Sequence, residues 1–430
     1  MLQTFLSRLS AVLALAAPLF ATDTPGAGWG ADSVRPLTLQ TAFASHDTLA
    51  NGNRVVFDGS LVWIEQDDGT VLATIGATPS PTFPSFVEAD PSETFAVLGE
   101  SSNGMIYRVP LSGGGGLVPL ASLNSNYDLA FETGGATALV SAAHTGTGNQ
   151  VFRLNLSTGA TNLLVSVPGP SGPIALNGSG DLYYVTQVYT YPTPVDALSL
   201  VRWSAAQLSN GPWPLTSADA SLVTPNLDGG ASMVLDTASG SVYVAESSDG
   251  SPSRITEIDR FGSVVGTAST VTGYVGQIEQ VDTAGAGALA RFQPAGSRLL
   301  YRVTDFQQGT SVITAVSPRR PQLAAVQNGN GTMTVTLAGA TPNTSCFVIS
   351  SAAATYNPVE SAFDLATYLF WTGMPFASIR RAGIQFPADA NGAGTFTFAN
   401  PGPIQGTRVI QVLVRDASGT FRGSSTTITN

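Results

Sequence analysis

Four polar side chains are candidates for holding a divalent cation, either calcium or zinc: Asn126, Asp128, Gln277 and Glu279. Hard cations such as calcium bind carboxylate and amide oxygens, and zinc also accepts carboxylate ligands. The two pairs lie far apart in the sequence, so the fold has to bring them together. The favoured alternative is that they are ordinary polar residues bridged by water, and the sequence indicates no other cofactor.

His144 is the candidate catalytic residue, as a general base, because imidazole titrates near neutrality. It lies in the segment HTGTGN, where a solvated loop histidine is the simpler interpretation. A Ser-His-Asp triad would need Ser101 or Ser141 as its nucleophile, and the chain has no G-x-S-x-G turn to position a serine. The sequence therefore does not favour an enzyme.

The composition excludes several further classes of function. All 18 basic residues are arginine, which excludes lysine-based Schiff-base chemistry. The single Cys346 allows neither an internal disulfide nor a Cys-X-X-Cys pair. The net charge of −11 argues against a nucleic-acid partner and against an anionic membrane surface, because both require a basic patch.

A recurring phrase indicates the elements that position the candidate residues. It reads as an apolar strand with a central charged residue and a glycine turn, as in MIYRVPLSGG and QVFRLNLSTG. The aligned central positions, 45 to 55 residues apart, are Trp63, Arg108, Arg153, Arg202, Glu257 and Arg302. We expect the four arginines to occupy equivalent places and to pair with acids of the neighbouring unit or with turn carbonyls.

A second phrase precedes the first and reads as strand, tight turn, strand, as in IALNGSGDLYYVT. Its turns open on polar residues that can bond their own turn backbone, namely Asp90, Glu132, Asn177, Asp236 and Asp282. A third element supplies one more strand. Four strands per unit of roughly 45 residues is the period of a β-propeller, so six units predict six blades. The inner strand of the first blade is assigned to residues 37–44, and no closing strand is evident.

One face of this propeller is the predicted ligand-binding surface. The loops that join strands two and three, and those that join consecutive blades, emerge together on that face. The inner strands enter there at Ser85, Asp128, Ser171, Ser232 and Gln277. The residues assigned to the ligand face are Ser101, Asn103, His144, Tyr191 and Asp249.

The repeated phrases resemble the six-bladed propellers of the NHL-repeat and regucalcin/gluconolactonase-like group. The resemblance lies in the architecture of the repeated units rather than in one specific motif. It implies a ligand or partner site on the face just described. For the lactonase members it also implies a divalent metal held by Glu, Asn and Asp over the central channel. Asp128 is the one carboxylate at a strand entry, so this chain departs from that ligand pattern.

A different series of strands follows the propeller. A proline-flanked linker at 318–321 precedes residues 322–430, where short alternating strands predict an immunoglobulin-like β-sandwich, as is found at the C-termini of secreted bacterial proteins. The segment FDLATYLFW, from Phe363 to Trp371, breaks the alternation and predicts a short helix. Its aromatic residues form either a platform for sugar rings or part of the core, and core packing is favoured.

Residues 1–21 predict a secretory signal peptide, because Arg8 is followed by the apolar run AVLALAAPLF and by Ala21. The run is too short to cross a bilayer, and no second apolar segment suggests a transmembrane anchor. We therefore expect a secreted protein, extracellular or periplasmic. A linker is predicted at 22–33 and the propeller at 34–317.

The sequence as a whole predicts an all-β protein, a six-bladed β-propeller followed by a small β-sandwich. The favoured function is a secreted, non-enzymatic protein that binds a protein or glycan ligand through the ligand face, with the sandwich as a spacer or second contact module. One alternative is a metal-dependent lactonase or esterase of the regucalcin type. Another is a structural component of the envelope or matrix.

Overall fold

The computed structural model describes most of the chain as strands joined by turns. The described residues are 22–26, 29–31, 35–36, 44–143, 148–186, 198–236, 240–247, 252–272, 276–284, 298–305, 310–318, 322–328, 332–340, 343–352, 361–365, 368–372, 380–399, 408–415, 421–423 and 427–429. Within these ranges, no helix has the length and apolar character that crossing a bilayer requires.

The chain folds into a six-bladed β-propeller, in which each blade is an antiparallel sheet with its first strand innermost. Three short strands come first: β1 (Thr22–Pro25), β2 (Trp29–Ala31) and β3 (Arg35–Pro36). The first blade contains β4 (Ser45–Thr48), β5 (Arg54–Phe57), β6 (Leu61–Glu65) and β7 (Val71–Ala77). The second contains β8 (Pro84–Ala89), β9 (Phe95–Glu100), β10 (Met105–Pro110) and β11 (Val118–Ser122). The third contains β12 (Asn126–Phe131), β13 (Thr137–Ala142), β14 (Asn149–Asn155) and β15 (Thr161–Val167).

The remaining blades follow the same order. The fourth contains β16 (Ile174–Leu176), β17 (Leu182–Val185), β18 (Leu198–Trp203) and β19 (Ser221–Leu227), with a helix α1 (Ala205–Asn210) and a 3-10 turn (Ser217–Asp219) between its last two strands. The fifth contains β20 (Ser232–Leu235), β21 (Val242–Glu246), β22 (Ser253–Ile258) and β23 (Val264–Thr272). The sixth contains β24 (Gly276–Ala284), β25 (Arg298–Asp305) and β26 (Thr310–Pro318).

The beginning of the chain closes the ring. Strand β2 pairs antiparallel with β26, with Trp29 opposite Pro318, and so supplies the fourth strand of the sixth blade. Strand β3 also pairs with β26, and β1 adds a fifth strand to the fifth blade through β23. Residues 22–33, predicted as a linker, therefore contain strands of the propeller.

This closure shifts the sixth blade by one strand relative to the sequence alignment. Because the N-terminal strand fills the outer position, β25 is the second strand and β26 the third. The prediction that Arg302 shares a blade position with Arg108, Arg153 and Arg202 is therefore wrong. In the first blade, the inner strand is β4, immediately after the predicted segment 37–44, of which residues 37–43 lie outside the described residues.

Two of the polar turn openers, Asp90 and Asn177, bond their own turn backbone as predicted, whereas the Glu132 carboxylate binds Thr137 Oγ1 and Arg153 instead. Asp90 Oδ1 accepts hydrogen bonds from the backbone N–H of Thr94 and Phe95, each at 2.7 Å. Burial opposes ionisation of Asp90, but the hydrogen bonds from its own turn outweigh burial and lower its pKa. Asn177 Oδ1 likewise accepts the N–H of Asp181 at 2.8 Å. Side chains of the turn residues thus fix the β-hairpins locally.

Apolar clusters join consecutive blades from the first to the sixth. Blades one and two share a cluster that includes Phe57 and Leu98, and blades five and six share one that includes Tyr243 and Tyr301. Between the sixth and first blades, the described residues instead form a polar contact. Arg298 of β25 and Arg54 of β5 both bind Asp67, with N–O distances of 2.6 and 3.1 Å.

The described ion pairs and ring contacts of Arg108, Arg153 and Arg202 lie within their own blades. Arg153 Nε lies 2.8 Å from Glu132 Oε2, across the same sheet. The guanidinium of Arg108 lies 3.8 Å from the centre of the Phe95 ring, also in its own blade. Arg153 Nη2 also donates to the Leu208 carbonyl, in the fourth blade, at 3.4 Å. The structural role is as predicted, but the acids that these arginines bind belong to their own blades and not to the neighbouring ones.

The C-terminal part consists of two sheets. The first contains β27 (Gln322–Gln327), β28 (Thr332–Ala338) and β33 (Gly394–Ala399). The second contains β29 (Ser345–Ala352), β30 (Ser361–Leu365), β31 (Tyr368–Thr372), β32 (Arg380–Pro387), β34 (Arg408–Arg415), β35 (Phe421–Gly423) and β36 (Thr427–Thr429). Val335 and Val412, from different sheets, belong to one buried cluster that also holds Cys346. The helix predicted over Phe363–Trp371 is instead a hairpin of β30 and β31.

Candidate functional site

A cavity of about 370 Å³ lies along the propeller axis. The inner strands β4, β8, β12, β16, β20 and β24 contact one another in this order, and β24 contacts β4 again, so they surround the axis. The inner strands of blades one to five line the cavity, together with Arg302 from the second strand of blade six. Its polar lining residues are Ser45, Ser85, Glu88, Ser101, Asn126, Tyr127, Asp128, Ser232 and Arg302.

Asp128 ties the third blade to the fourth from the wall of this cavity. Its Oδ1 accepts the N–H of Leu129 at 2.9 Å, and its Oδ2 accepts the N–H of Ile174, the first residue of β16, at 2.8 Å. Asp47 makes the same kind of tie in the first blade, because it accepts the N–H of Thr48 at 2.7 Å and of Ala89 at 2.6 Å. An inner-strand aspartate therefore fastens one blade to the next at both places.

Burial raises the pKa of the Asp128 carboxyl to about 7, although its two backbone hydrogen bonds act in the opposite direction. At neutral pH the carboxyl is therefore protonated in a substantial fraction of molecules. A carboxyl in that state can donate a hydrogen bond as well as accept one. The cavity wall thus offers a group that could exchange a proton with a ligand or accept a hydrogen bond from a ligand hydroxyl.

Arg302 supplies the positive charge of the cavity. It is only 7% exposed and reaches the axis because β25 is the second strand of its blade, directly beside the inner strand β24. Glu88 of β8 lines the same cavity. Among the described residues, the lining therefore combines one guanidinium with two carboxyl groups and several hydroxyls, an arrangement suited to a polar ligand.

The predicted metal ligands fall into two groups. Asn126 and Asp128 both lie on β12 and line the cavity. The Nδ2 of Asn126 donates to the carbonyls of Glu100 and Leu123, at 2.9 and 3.1 Å, which gives that residue a structural role. Gln277 and Glu279 lie on β24, but their side chains lie outside the described residues. Among the residues described, no three His, Cys, Asp or Glu side chains are grouped to hold a metal, so the metal site stays a prediction.

The predicted ligand face is described in part. Ser101 borders the cavity, and Asn103 lies exposed in the turn between β9 and β10. His144, Tyr191 and Asp249 lie outside the described residues. The other histidine, His46, is 1% exposed on β4.

Three polar residues of the cavity, Ser45, Tyr127 and Arg302, were missed by the sequence interpretation. Arg302 was aligned with third-strand arginines, because the segment before it was interpreted as the first two strands of the sixth blade. Tyr127 lies between two residues that were singled out, yet it reaches the axis only because of a β-bulge. The strand register jumps between Asn126 and Asp128, which leaves Tyr127 as the extra residue.

Comparisons with known proteins add no assignment by family. No family model matches the chain, and no curated protein matches it. Among solved structures, the chain is similar to a gluconolactonase from Xanthomonas campestris, at 15% identity over 69% of this chain and 98% of that chain, with a TM-score of 0.45. It is also similar to a luciferin-regenerating enzyme, at 11% identity over 67% and 95% of the two chains, with a TM-score of 0.47. A third is the PQQ domain of a pyranose dehydrogenase from Coprinopsis cinerea, at 9% identity over 68% and 97%, with a TM-score of 0.46. At these values the similarity does not indicate an activity for this chain.

Proposed function

We propose that the protein is a non-enzymatic binding protein that takes the terminal sugar of a glycan into the axial cavity. The observation that carries this proposal is the lining of the cavity, where Glu88, Asp128 and Arg302 meet the hydroxyls of serines on several blades. Carboxylates accept hydrogen bonds from ligand hydroxyls, guanidinium groups donate to ligand oxygens, and serines do both. A neutral polyhydroxylated ligand uses all three kinds of group without a net charge.

The size of the cavity also supports a small ligand. Its volume of about 370 Å³ lies near the lower end of the range of about 300 to 1,000 Å³ that is usual for small-molecule sites. The site therefore suits the end of a glycan chain rather than a length of polymer. The ligand-face residues Ser101 and Asn103 lie beside the cavity and in the adjoining turn, where they could contact the next sugar.

A glycan array probed with residues 22–430 tests this proposal directly. Glu88→Gln and Ser232→Ala should each weaken binding to any glycan recognised, by about tenfold for the loss of hydrogen bonds worth about 1.4 kcal/mol. Arg202→Gln is the control, because Arg202 is 42% exposed on the third strand of the fourth blade. Binding that survives both cavity variants, or that goes only to a protein in a pull-down, would contradict the proposal.

Lactone or ester hydrolysis is a second candidate, favoured by the raised pKa of Asp128 in the cavity. A carboxyl that titrates near neutrality is matched to general acid-base work. Saturable turnover of a lactone panel that Asp128→Ala abolishes would favour this candidate. Thermal unfolding with chelator, and then with calcium, magnesium, manganese or zinc, tests the metal-dependent form, since a bound ion raises the midpoint by mass action. If the protein showed no turnover and bound no glycan, a structural role in the envelope or matrix would be favoured.

Export and the nature of the C-terminal part belong to the same proposal. Residues 1–21 act as a cleaved signal peptide in this proposal, and N-terminal sequencing of the exported protein should then begin at Thr22. The two C-terminal sheets form an immunoglobulin-like sandwich that serves as a spacer or second contact module, supported by the cluster that they share. A truncated chain ending before residue 322 should keep the glycan affinity if the sandwich is only a spacer.

A further inference from the structure

Tyr127 reaches across the axial cavity from the third blade to the fifth. Its side chain starts on β12 of the third blade, and its hydroxyl donates to the carbonyl of Ala231 at 2.5 Å. Ala231 immediately precedes β20, the inner strand of the fifth blade. The ring of Tyr127 therefore spans the fourth blade, at the end of the channel where the inner strands begin.

The β-bulge in β12 is what aims this side chain. The register pairs Asn126 with Ala142 and Asp128 with Ser141. Tyr127 is therefore the extra residue of the bulge, with no residue opposite it on β13. A bulge turns its extra residue out of the regular alternation and is common beside binding sites. Both neighbours of the tyrosine are fixed, because Asn126 donates to the Glu100 carbonyl and Asp128 accepts from Ile174.

We call the ring of Tyr127 and its hydrogen bond to the Ala231 carbonyl the bar. Its acceptor end, in the fifth blade, is equally fixed. The N–H of Ala231 donates to the carbonyl of Ala245 at 2.8 Å, which holds the accepting carbonyl in the fifth blade. The tyrosine hydroxyl thus links two rigid pieces of backbone through its hydrogen bond to the Ala231 carbonyl. A single neutral hydrogen bond exchanges readily with water or with a ligand hydroxyl.

We propose that Tyr127 is the specificity-determining residue of the axial site, and that it admits only ligands small enough to pass the bar or able to take over its hydrogen bond to Ala231. This inference rests on the proposed function for the identity of the ligand, but the bar itself can be tested without one. A sugar hydroxyl can replace the phenol at the Ala231 carbonyl, whereas an apolar molecule of the same size cannot.

Cysteine labelling in the cavity measures passage directly. Val234→Cys places a thiol among the lining residues on β20, three residues further along the chain than Ala231. The native Cys346 stays silent, because it is fully buried and burial raises the pKa of its thiol to about 11. Labelling rates with iodoacetamide and with the larger fluorescein maleimide are then compared in backgrounds that differ at Tyr127.

Tyr127→Phe should speed labelling by the small reagent about two- to tenfold, the effect of losing one hydrogen bond. Tyr127→Ala should speed the large reagent by at least about tenfold, because it removes the ring. The matched control is Tyr184→Phe, which loses a hydroxyl that donates to the Pro170 carbonyl at 3.3 Å. Tyr184 lies in the cluster between the third and fourth blades and does not line the cavity, so both rates should stay unchanged.

Equal labelling rates in wild type and in both Tyr127 variants would overturn the proposal, and so would an equal increase in the Tyr184 control. If Tyr127→Ala does not fold, the Phe variant with the small reagent alone decides the question. The outcome is independent of the glycan array: unchanged labelling with glycan binding intact rejects the bar only. Accelerated labelling with no glycan binding rejects the proposed function only.

Discussion

Arg298 and Asp67 form an ion pair with an N–O distance of 2.6 Å across the seam between the last and first blades. Asp67 also binds Arg54, whose side chain is 2% exposed and which bonds Glu65 at 3.2 Å. Trp63 Nε1 donates to the other oxygen of Glu65 at 3.0 Å. The seam is therefore held by a continuous polar network, in a ring whose other joints are apolar clusters.

Removing the arginine at the seam should cost measurable stability. Arg298→Met is expected to lower the free energy of unfolding by about 1 kcal/mol, because the pair is short, half-buried and part of a network. The control Arg202→Met removes a pair with a distance of 3.9 Å from a side chain that is 42% exposed, and should change stability little. Urea unfolding measures the free energy of unfolding of both variants. An equal decrease in the two would show that the Arg298–Asp67 pair has no special role.

The closing strand β2 should contribute more to the free energy of unfolding than the Arg298–Asp67 pair does. Trp29 is 7% exposed and meets Tyr243 edge to face, with ring centres 5.8 Å apart. Trp29→Ala should therefore cost about 3 to 5 kcal/mol through the cavity it leaves. Trp213→Ala is the matched control, because Trp213 is 47% exposed. If the two substitutions had similar effects on the unfolding midpoint, β2 would not close the ring in solution.

Asp128 should make stability depend on pH. Its folded-state pKa of about 7 lies above the value of about 3.9 for an unfolded aspartate, so the folded state binds more protons between these values. Its contribution to stability is therefore greatest below about pH 4 and is lost as the pH rises to about 7. Relative to Asp128→Asn, the wild type should lose about 2 to 4 kcal/mol across this range.

Urea unfolding at several pH values measures that difference. Asp47→Asn controls for the loss of two backbone hydrogen bonds, since Asp47 accepts from Thr48 and Ala89 in the same manner. A stability difference between wild type and Asp128→Asn that stays constant with pH would contradict the raised pKa.

Gly99 should tolerate no side chain. A Cβ at this position in β9 would overlap Asn126 Oδ1 and the ring of Phe86, both of which are buried. Gly99→Ala should therefore cost about 1 to 3 kcal/mol by overpacking. Gly178→Ala is the control, because nothing lies within 4 Å of its Cβ position. Equal midpoints for the two variants in thermal unfolding would contradict the close contact with Asn126.

The sequence predicted the features that depend on local chemistry. Turn openers such as Asp90 and Asn177 bond their own backbone, and the residue type alone indicates this. The alternation within each phrase predicted the strands of the second to fifth blades. The repeat also placed Asp128 and Ser232 at entries to the axis, where both line the cavity.

The parts that were not predicted depend on pairing between distant segments. Nothing in the residues around Trp29 indicates that their partner is Val316 and its neighbours, so the segment was interpreted as a linker and Arg302 was placed one strand too far out. Tyr127 was missed for a related reason. A bulge is a mismatch between the lengths of two paired strands, and the residue types of one strand do not reveal it.

The pairing of Trp29 with Pro318 sets the order in which this molecule can be completed. Strands β1 and β2 are synthesised first, but the edges they pair with are made only after most of the propeller has emerged. Until then the N-terminal strands have no partner, and afterwards a very long loop must close before their contacts form. Such non-local pairing slows folding and leaves strand edges open to association in the meantime. A chain interrupted before β26 would therefore remain an open arc, in which β2 lacks its partner edge and is available to pair with another copy.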